Sequence, residues 1–342
     1  MKKYFSDIVA NDTVKTRLFG DIQDSKLSHA FILEGEGGSG RHTLATSLAA
    51  AICCSRNDGD TVPCKGCPSC KKIFAGKSPD IISLGITDDK ATIGIDTARF
   101  IKGDIHIAPN DLPIKMYIID DADKMTHQAQ NALLLSLEEP PSYVIFVLIC
   151  KDSAALLETI RSRAPIYRLE KLSYTQISDY LVGNFKKAGE LLRDEPESFR
   201  ELIASSSGTL GRAIALLDDK QRAKEFAERQ IAKDFIELSL NRSKSKIFDM
   251  MASLGKKRPE ICERLSLIQY AIRDLVMLKK SDAGELIFYS SIEEAAEISA
   301  KITLERLIDM HDAIKVASDD LRSNSNVKLT LLSMMYACKL AD

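Results

Sequence analysis

The 342-residue sequence predicts an α/β core built on a parallel sheet, then a small helical segment and an all-helical C-terminal region. Three observations carry this. Short apolar runs rich in Val, Ile and Leu alternate with helical patterns up to about residue 170, as expected of parallel strands covered on both faces. The first of these runs ends in a glycine-rich loop that opens a helix. Beyond Leu172 no strand-like run occurs, and one helical pattern follows another.

Residues 1–28 read as helical, with Val14, Leu18 and Ile22 on one face. Ala30 to Leu33 then reads as a buried strand, followed by a loop holding Gly35, Gly37, Gly38 and Gly40 and by a helix from about Arg41. Strand, glycine loop and helix together form a phosphate-binding context, because backbone N–H groups and a helix N-terminus converge on an anion. The spacing from Gly35 to Gly40 is that of G-x-x-x-x-G-K-[ST], but Arg41 stands in the lysine position and His42 in that of the magnesium-binding hydroxyl. Thr43 is no substitute, since one residue along a helix turns the side chain by about 100°. The frame of a nucleotide site is present and its chemistry is impaired. Weak binding of ATP or ADP through Gly35, Gly40, Arg41, His42 and Thr43 is the most it predicts.

Five of the eight cysteines lie between Cys53 and Cys70. Cys64, Cys67 and Cys70 form two overlapping C-x-x-C units, and a fourth cysteine about ten residues upstream can close a tetrahedral Cys₄ site. Thiolates in such an array suit zinc, and four sulfurs leave no open position for catalysis. The fourth ligand is Cys54, with Cys53 as competitor.

Ile81 to Leu84 and Lys115 to Ile119 are the next strands. The second ends in Asp120 and Asp121, where a carboxylate can bind the magnesium of a nucleotide and its neighbour can orient water. Asp121 is one methylene shorter than the usual Glu, which again speaks against hydrolysis. Asn131 to Glu139 forms a helix stopped by Pro140 and Pro141, and Tyr143 to Ile149 is another buried strand. A short helix over 155–163 then carries Arg161 and Arg163 before Pro165 ends it. Toward the C-terminus Leu265, Ile268, Ile272 and Leu275 share a helical face, as do Leu304, Leu307, Ile308 and Val316.

Composition narrows the functional classes. Hydrophobic content of 45% and charged content of 28% are ordinary for a soluble protein, and a net charge of −2 gives no global field toward nucleic acid. No apolar run reaches the roughly 18 residues of a membrane span, and the N-terminus has no signal-peptide core. The expectation is a cytoplasmic protein without a membrane partner.

Several segments together resemble the bacterial replicative clamp-loader subunits of the AAA+ class, the gamma/tau and delta-prime family. They are His29-Ala-Phe-Ile-Leu-Glu-Gly, the Cys64/Cys67/Cys70 array, Asn131-Ala-Leu-Leu, Leu137-Glu-Glu-Pro-Pro, Ile160-Arg-Ser-Arg and Leu321-Arg-Ser-Asn-Ser-Asn-Val-Lys-Leu. The resemblance implies an AAA+ P-loop core over 1–170 with its zinc module at 54–70, a helical lid over 171–218 and a helical collar over 219–342. It implies gamma/tau and delta subunits as partners, with the sliding clamp and primer-template DNA reached through the complex. It also implies that Arg163 acts in trans on a neighbour's ATP; the alternative is an ordinary surface arginine that pairs with a carboxylate or caps its helix. The departures are specific. Arg41 and His42 replace the ATPase residues, Ser-Arg-Cys has become Ser162-Arg163-Ala164, and the nucleotide-sensing arginine is matched by Gly211, with Arg212 one position later. These side with the delta-prime members. The rivals are an ATP-hydrolysing gamma/tau-type subunit and a non-replicative AAA+ scaffold.

Overall fold

The computed structural model describes residues 3–24, 27–56, 61–86, 92–241, 246–280, 286–289, 291–323 and 325–338. The chain divides into two compact units, one of residues 1–176 with 209–211 and one of residues 177–208 with 212–342.

The first unit is organised by a five-stranded, all-parallel sheet. Ahead of it, β1 (Lys3–Tyr4) pairs with β3 (Thr61–Val62) in a separate two-stranded ribbon. The main sheet holds β2 (Ala30–Glu34), β4 (Ile81–Leu84), β5 (Lys115–Ile119), β6 (Val144–Cys150) and β7 (Ile166–Arg168), in the order β4-β5-β6-β2-β7. The central register runs from Ala30 opposite Phe146 to Glu34 opposite Cys150. All seven residues of β6 are buried because both faces are covered. Phe31, Leu33, Val147 and Ile149 enter one core with Leu44 and Leu48, whereas Ala30, Ile32, Phe146 and Leu148 enter a second with Leu133 and Leu137. Alternation along each strand thus feeds two apolar layers, which is why the sequence shows unbroken apolar runs. Each fully buried side chain of this size contributes about 1.5–3 kcal/mol.

The helices of this unit are α1 (Asp12–Gln23), α2 (Arg41–Ile52), α3 (Pro68–Phe74), α4 (Ile95–Asp104), α5 (His127–Glu138) and α6 (Glu158–Arg161). Thr126 caps α5, its hydroxyl accepting from the Ala129 N–H at 3.2 Å. Because the strands are parallel, their C-terminal ends form one edge, holding the glycine loop after β2 and Asp120 after β5. Their N-terminal ends form the opposite edge, with His29 before β2 and Arg163 before β7.

The N-terminal stretch is not helical throughout. Helix α1 starts only at Asp12; ahead of it the Phe5 N–H donates to the Val62 carbonyl at 2.9 Å and Tyr4 stacks on Phe19. Non-local pairing with residues 61–62 decides that segment. Residues 57–60 of the polar loop before the cysteine array, and Asn324 in the 321–329 segment, lie outside the described residues.

The second unit is helical: α7 (Tyr174–Asn184, entering from the first unit), α8 (Lys186–Asp194), α9 (Pro196–Ser205), α10 (Leu210–Ala215), α11 (Asp219–Asn241), α12 (Ile247–Ser253), α13 (Arg258–Lys279), α14 (Ile292–Lys301), α15 (Leu304–Arg322) and α16 (Val327–Ala337). Its core joins Phe235, Leu265, Ile268, Ile272, Leu275, Leu307, Met310 and Ile314. The expected face of α13 is therefore buried. That of α15 is not: Ile308 and Val316 are 45% and 61% exposed, and the buried face runs Leu307, Met310, Ile314, Ala317, Leu321. Leu307 and Ile308 are adjacent, some 100° apart on the helix, so only one of them can face the core.

Candidate functional site

At the C-terminal edge of the sheet, β2 delivers the glycine loop. A Cβ at Gly35 would stand 2.9 Å from the Ser39 hydroxyl, and Gly40 has φ +94°, a left-handed conformation at which α2 begins. The backbone of a phosphate loop is in place. Its side chains are engaged differently from those of a hydrolytic site. His42 Nε2 lies 3.4 Å from Asp120 Oδ2. The hydrogen bond to Asp120 raises the His42 pKa above its ordinary value, and the same bond lowers that of Asp120. The His42 imidazole thus occupies the carboxylate that would otherwise face magnesium.

The remaining predicted residues of this site divide. Ser39 Oγ and Arg41 Nη1 are buried and have no hydrogen-bond partner. Thr43 is exposed. Asp121 sits at φ +51° and pairs with Lys124 at 3.1 Å, on its own side of the turn. Gly211 packs onto the loop: its N–H donates to the Gly38 carbonyl at 2.9 Å, and a Cβ there would stand 2.9 Å from Gly38 Cα. A side chain at 211 would need the loop to move. In the second unit, Arg212 is engaged by Glu225 at 2.5 Å. Two unpartnered buried donors suit an anion. His42 on Asp120 does not suit magnesium, so the residues fit a phosphate group and not the magnesium complex that hydrolysis requires.

The cysteine cluster forms beside α2. The sulfurs of Cys54, Cys64, Cys67 and Cys70 all lie within 4.8 Å of one another, a group that can hold a metal ion. The short spacing turns backbone toward sulfur: the Cys67 N–H donates to Cys64 Sγ at 3.3 Å and the Cys70 N–H to Cys67 Sγ at 3.4 Å. Burial raises the Cys67 pKa, but N–H donors from Cys70 and Ser55 outweigh it and bring it down to about 6. Burial raises Cys54 and Cys70. Cys53 is also buried, but outside the cluster, and desolvation pushes it up to about 12. Of the two candidates for the fourth position, Cys54 lies in the cluster and Cys53 does not. The donor set fits a thiophilic, tetrahedral ion closed to substrate.

At the N-terminal edge, α6 ends at Arg161 and Arg163 follows before β7. Arg163 Nη2 donates to Glu138 Oε1 at 2.7 Å and Nη1 to the Thr159 carbonyl at 2.8 Å. In the isolated chain the guanidinium thus does what an ordinary surface arginine does, pairing with a carboxylate and capping its helix. Arg161 is exposed and makes no ion pair among the described residues. Glu138 and its neighbour His29 were not marked by sequence reasoning, because 25 and 134 residues separate them from Arg163. Only the strand order brings them together.

The family model described as DNA polymerase III, delta subunit matches residues 10–173. The DNA polymerase III delta-prime subunit of Bacillus subtilis is 27% identical over 318 residues, 91% of each chain. Over these residues the chain is similar to DNA polymerase III subunits of the delta and delta-prime kinds. The tau subunit of Bacillus subtilis is 31% identical over 216 residues. These are 63% of this chain and 37% of tau, so the chain spans little more than a third of that longer relative. A solved Thermotoga maritima protein, described as related to the DNA polymerase III gamma subunit, aligns over 94% of this chain and 98% of its own at 19% identity and a TM-score of 0.44. No helix among the described residues is long and apolar enough to cross a membrane.

Proposed function

We propose that this chain is a delta-prime-type, non-hydrolysing subunit of a clamp loader. It would assemble with gamma/tau-type and delta-type subunits, and through them act on a sliding clamp and primer-template DNA. The observation that carries this reading is the His42–Asp120 pair beside Arg41, which leaves a phosphate-loop backbone without a magnesium-binding carboxylate. Arg41 keeps a positive charge, but its planar head is no equivalent of a compact lysine ammonium. The chain's own contribution to chemistry is then Arg163, offered in trans to the ATP of a neighbouring subunit, and the four cysteines hold a structural zinc. The two compact units are read as an AAA+ core over 1–170, and a lid over 171–218 with a collar over 219–342.

A gamma/tau-type ATPase is the second reading, favoured by the 31% identity to tau. One measurement separates them. Purified chain should not turn over ATP, and should co-purify with a clamp-loader ATPase subunit from its own cells. Steady turnover by the isolated chain that disappears in Asp120→Asn would replace the first reading with the second.

A further inference from the structure

The guanidinium of Arg163 is held at two points. Nη1 is fixed to its own helix through the Thr159 carbonyl, and Nη2 to Glu138, the last residue of α5. The end of α5 is itself tied down. The carbonyl of Leu137 is hydrogen-bonded to His29 Nε2 at 3.0 Å, and the His29 carbonyl accepts from the Phe146 N–H of β6 at 2.8 Å. Glu138 is thereby referenced to the two central strands. His29, Leu137, Glu138, Glu139 and Arg163 together line an open recess of about 460 Å³.

We propose that Glu138 is a positioning residue for Arg163. It selects one orientation of the guanidinium at the mouth of this recess, then yields it to the terminal phosphate of a neighbour's nucleotide. This rests on the reading of Arg163 as a trans-acting arginine. A free arginine samples many rotamers, and a misplacement of about 1 Å can lower a rate by roughly 10². The same pair is weak enough to open. Its side chains are 36% and 44% exposed, so solvent screens it, and a terminal phosphate offers more charge and more acceptor oxygens than one carboxylate. The backbone at the end of α5 is held by His29 and not by the Glu138 side chain, so truncating Glu138 removes the orienting contact and leaves the helix end in place.

The test uses the complex assembled with its ATPase subunits, a clamp and primed DNA, and compares Glu138→Ala, Glu138→Gln, Arg163→Ala and the double variant Glu138→Ala/Arg163→Ala. Glu138→Ala should lower kcat roughly three- to tenfold with KM for ATP unchanged. Glu138→Gln, which keeps an acceptor oxygen, should recover most of the rate. The double variant should be no slower than Arg163→Ala alone, because Glu138 acts only through Arg163. If Arg163→Ala is slow and Glu138→Ala runs at the wild-type rate, the positioning role is overturned and the trans-acting arginine stands. Losses that multiply in the double variant overturn it too, since Glu138 would then act elsewhere. A wild-type rate for Arg163→Ala removes the arginine reading and the positioning role together. Gel filtration of each variant in the complex shows whether assembly is intact.

Discussion

The two edges of one sheet have been treated differently by this sequence. At the C-terminal edge the glycine loop leads through the left-handed Gly40 into α2, and His42 lies 3.4 Å from Asp120. At the N-terminal edge Arg163 follows a short helix, its guanidinium held by Glu138 and by the Thr159 carbonyl. A loop backbone is maintained by packing, because strand, turn and helix must still connect around the core. Catalytic chemistry depends on one or two side chains and can be lost without disturbing that core.

The largest expected effect tests this asymmetry directly. Arg163→Ala should leave the chain folded and assembled, yet lower ATP hydrolysis at the neighbouring site by about 10³, because an arginine supplied in trans stabilises charge on the transferring phosphoryl group. Arg161→Ala is the control and should run at the wild-type rate. A loss in Arg161→Ala with none in Arg163→Ala would move the active arginine two residues back. Asp120→Asn, at the other edge, should leave the rate of the complex unchanged if that edge is silent.

How much of this was legible beforehand depends on how local the deciding interactions are. Strands β2, β5 and β6 show in the sequence as apolar runs because both of their faces are buried. The glycine loop and the cysteine array show because their chemistry is a spacing. β1, β3 and β7 are only two or three residues long and exist through pairings with distant segments, which no window of sequence contains. The same holds within the sites. Arg41 and His42 could be recognised as departures, but not that His42 would turn to Asp120, 78 residues away. The face of α15 was misjudged because Leu307 and Ile308 are both apolar and adjacent, and only packing against α13 chooses between them.

The cysteine cluster offers the next largest effect, and it sharpens the comparison by giving an intact site beside the impaired one. Metal analysis should return about one zinc per chain. Cys67→Ser, or removal of the ion by chelator, should loosen the segment from 54 to 70 and lower the stability of the first unit by on the order of 3 kcal/mol, comparable to losing another covalent closure of a loop this size. Limited proteolysis should then cut within that segment while the helices of the second unit stay protected. Protein purified without chelator and free of metal would end the zinc reading.

A smaller effect is expected where the glycine loop is closed over. At Gly211 a methyl group would approach Gly38 Cα to 2.9 Å and its carbonyl oxygen to 3.0 Å, both backbone atoms that cannot swing aside. Gly211→Ala should therefore destabilise the chain by about 1–3 kcal/mol, the usual range for overpacking, read as a lower denaturant midpoint at unchanged slope. An unchanged midpoint would mean that the loop yields freely, and that its backbone is not held by packing as argued above.

The smallest effect is a pH dependence at the silent edge. The His42 pKa is raised in the folded chain, chiefly by its hydrogen bond to Asp120, so folding favours the imidazolium. Its contribution to stability is complete below the unfolded histidine value of about 6.5 and disappears as pH rises through the higher folded value. Asp120 is lowered by the same bond, so its contribution is present above the unfolded carboxylate range and fades only in acid, as pH falls through its folded value. His42 and Asp120 are 50% and 43% exposed, which screens the pair and limits its worth to about 0.5 kcal/mol or less. His42→Gln should accordingly be slightly less stable than wild type near pH 5.5, and the difference should disappear as pH rises through the folded value. A stability difference that grows with rising pH would mean that folding favours the neutral ring, and that the hydrogen bond to Asp120 does not govern His42.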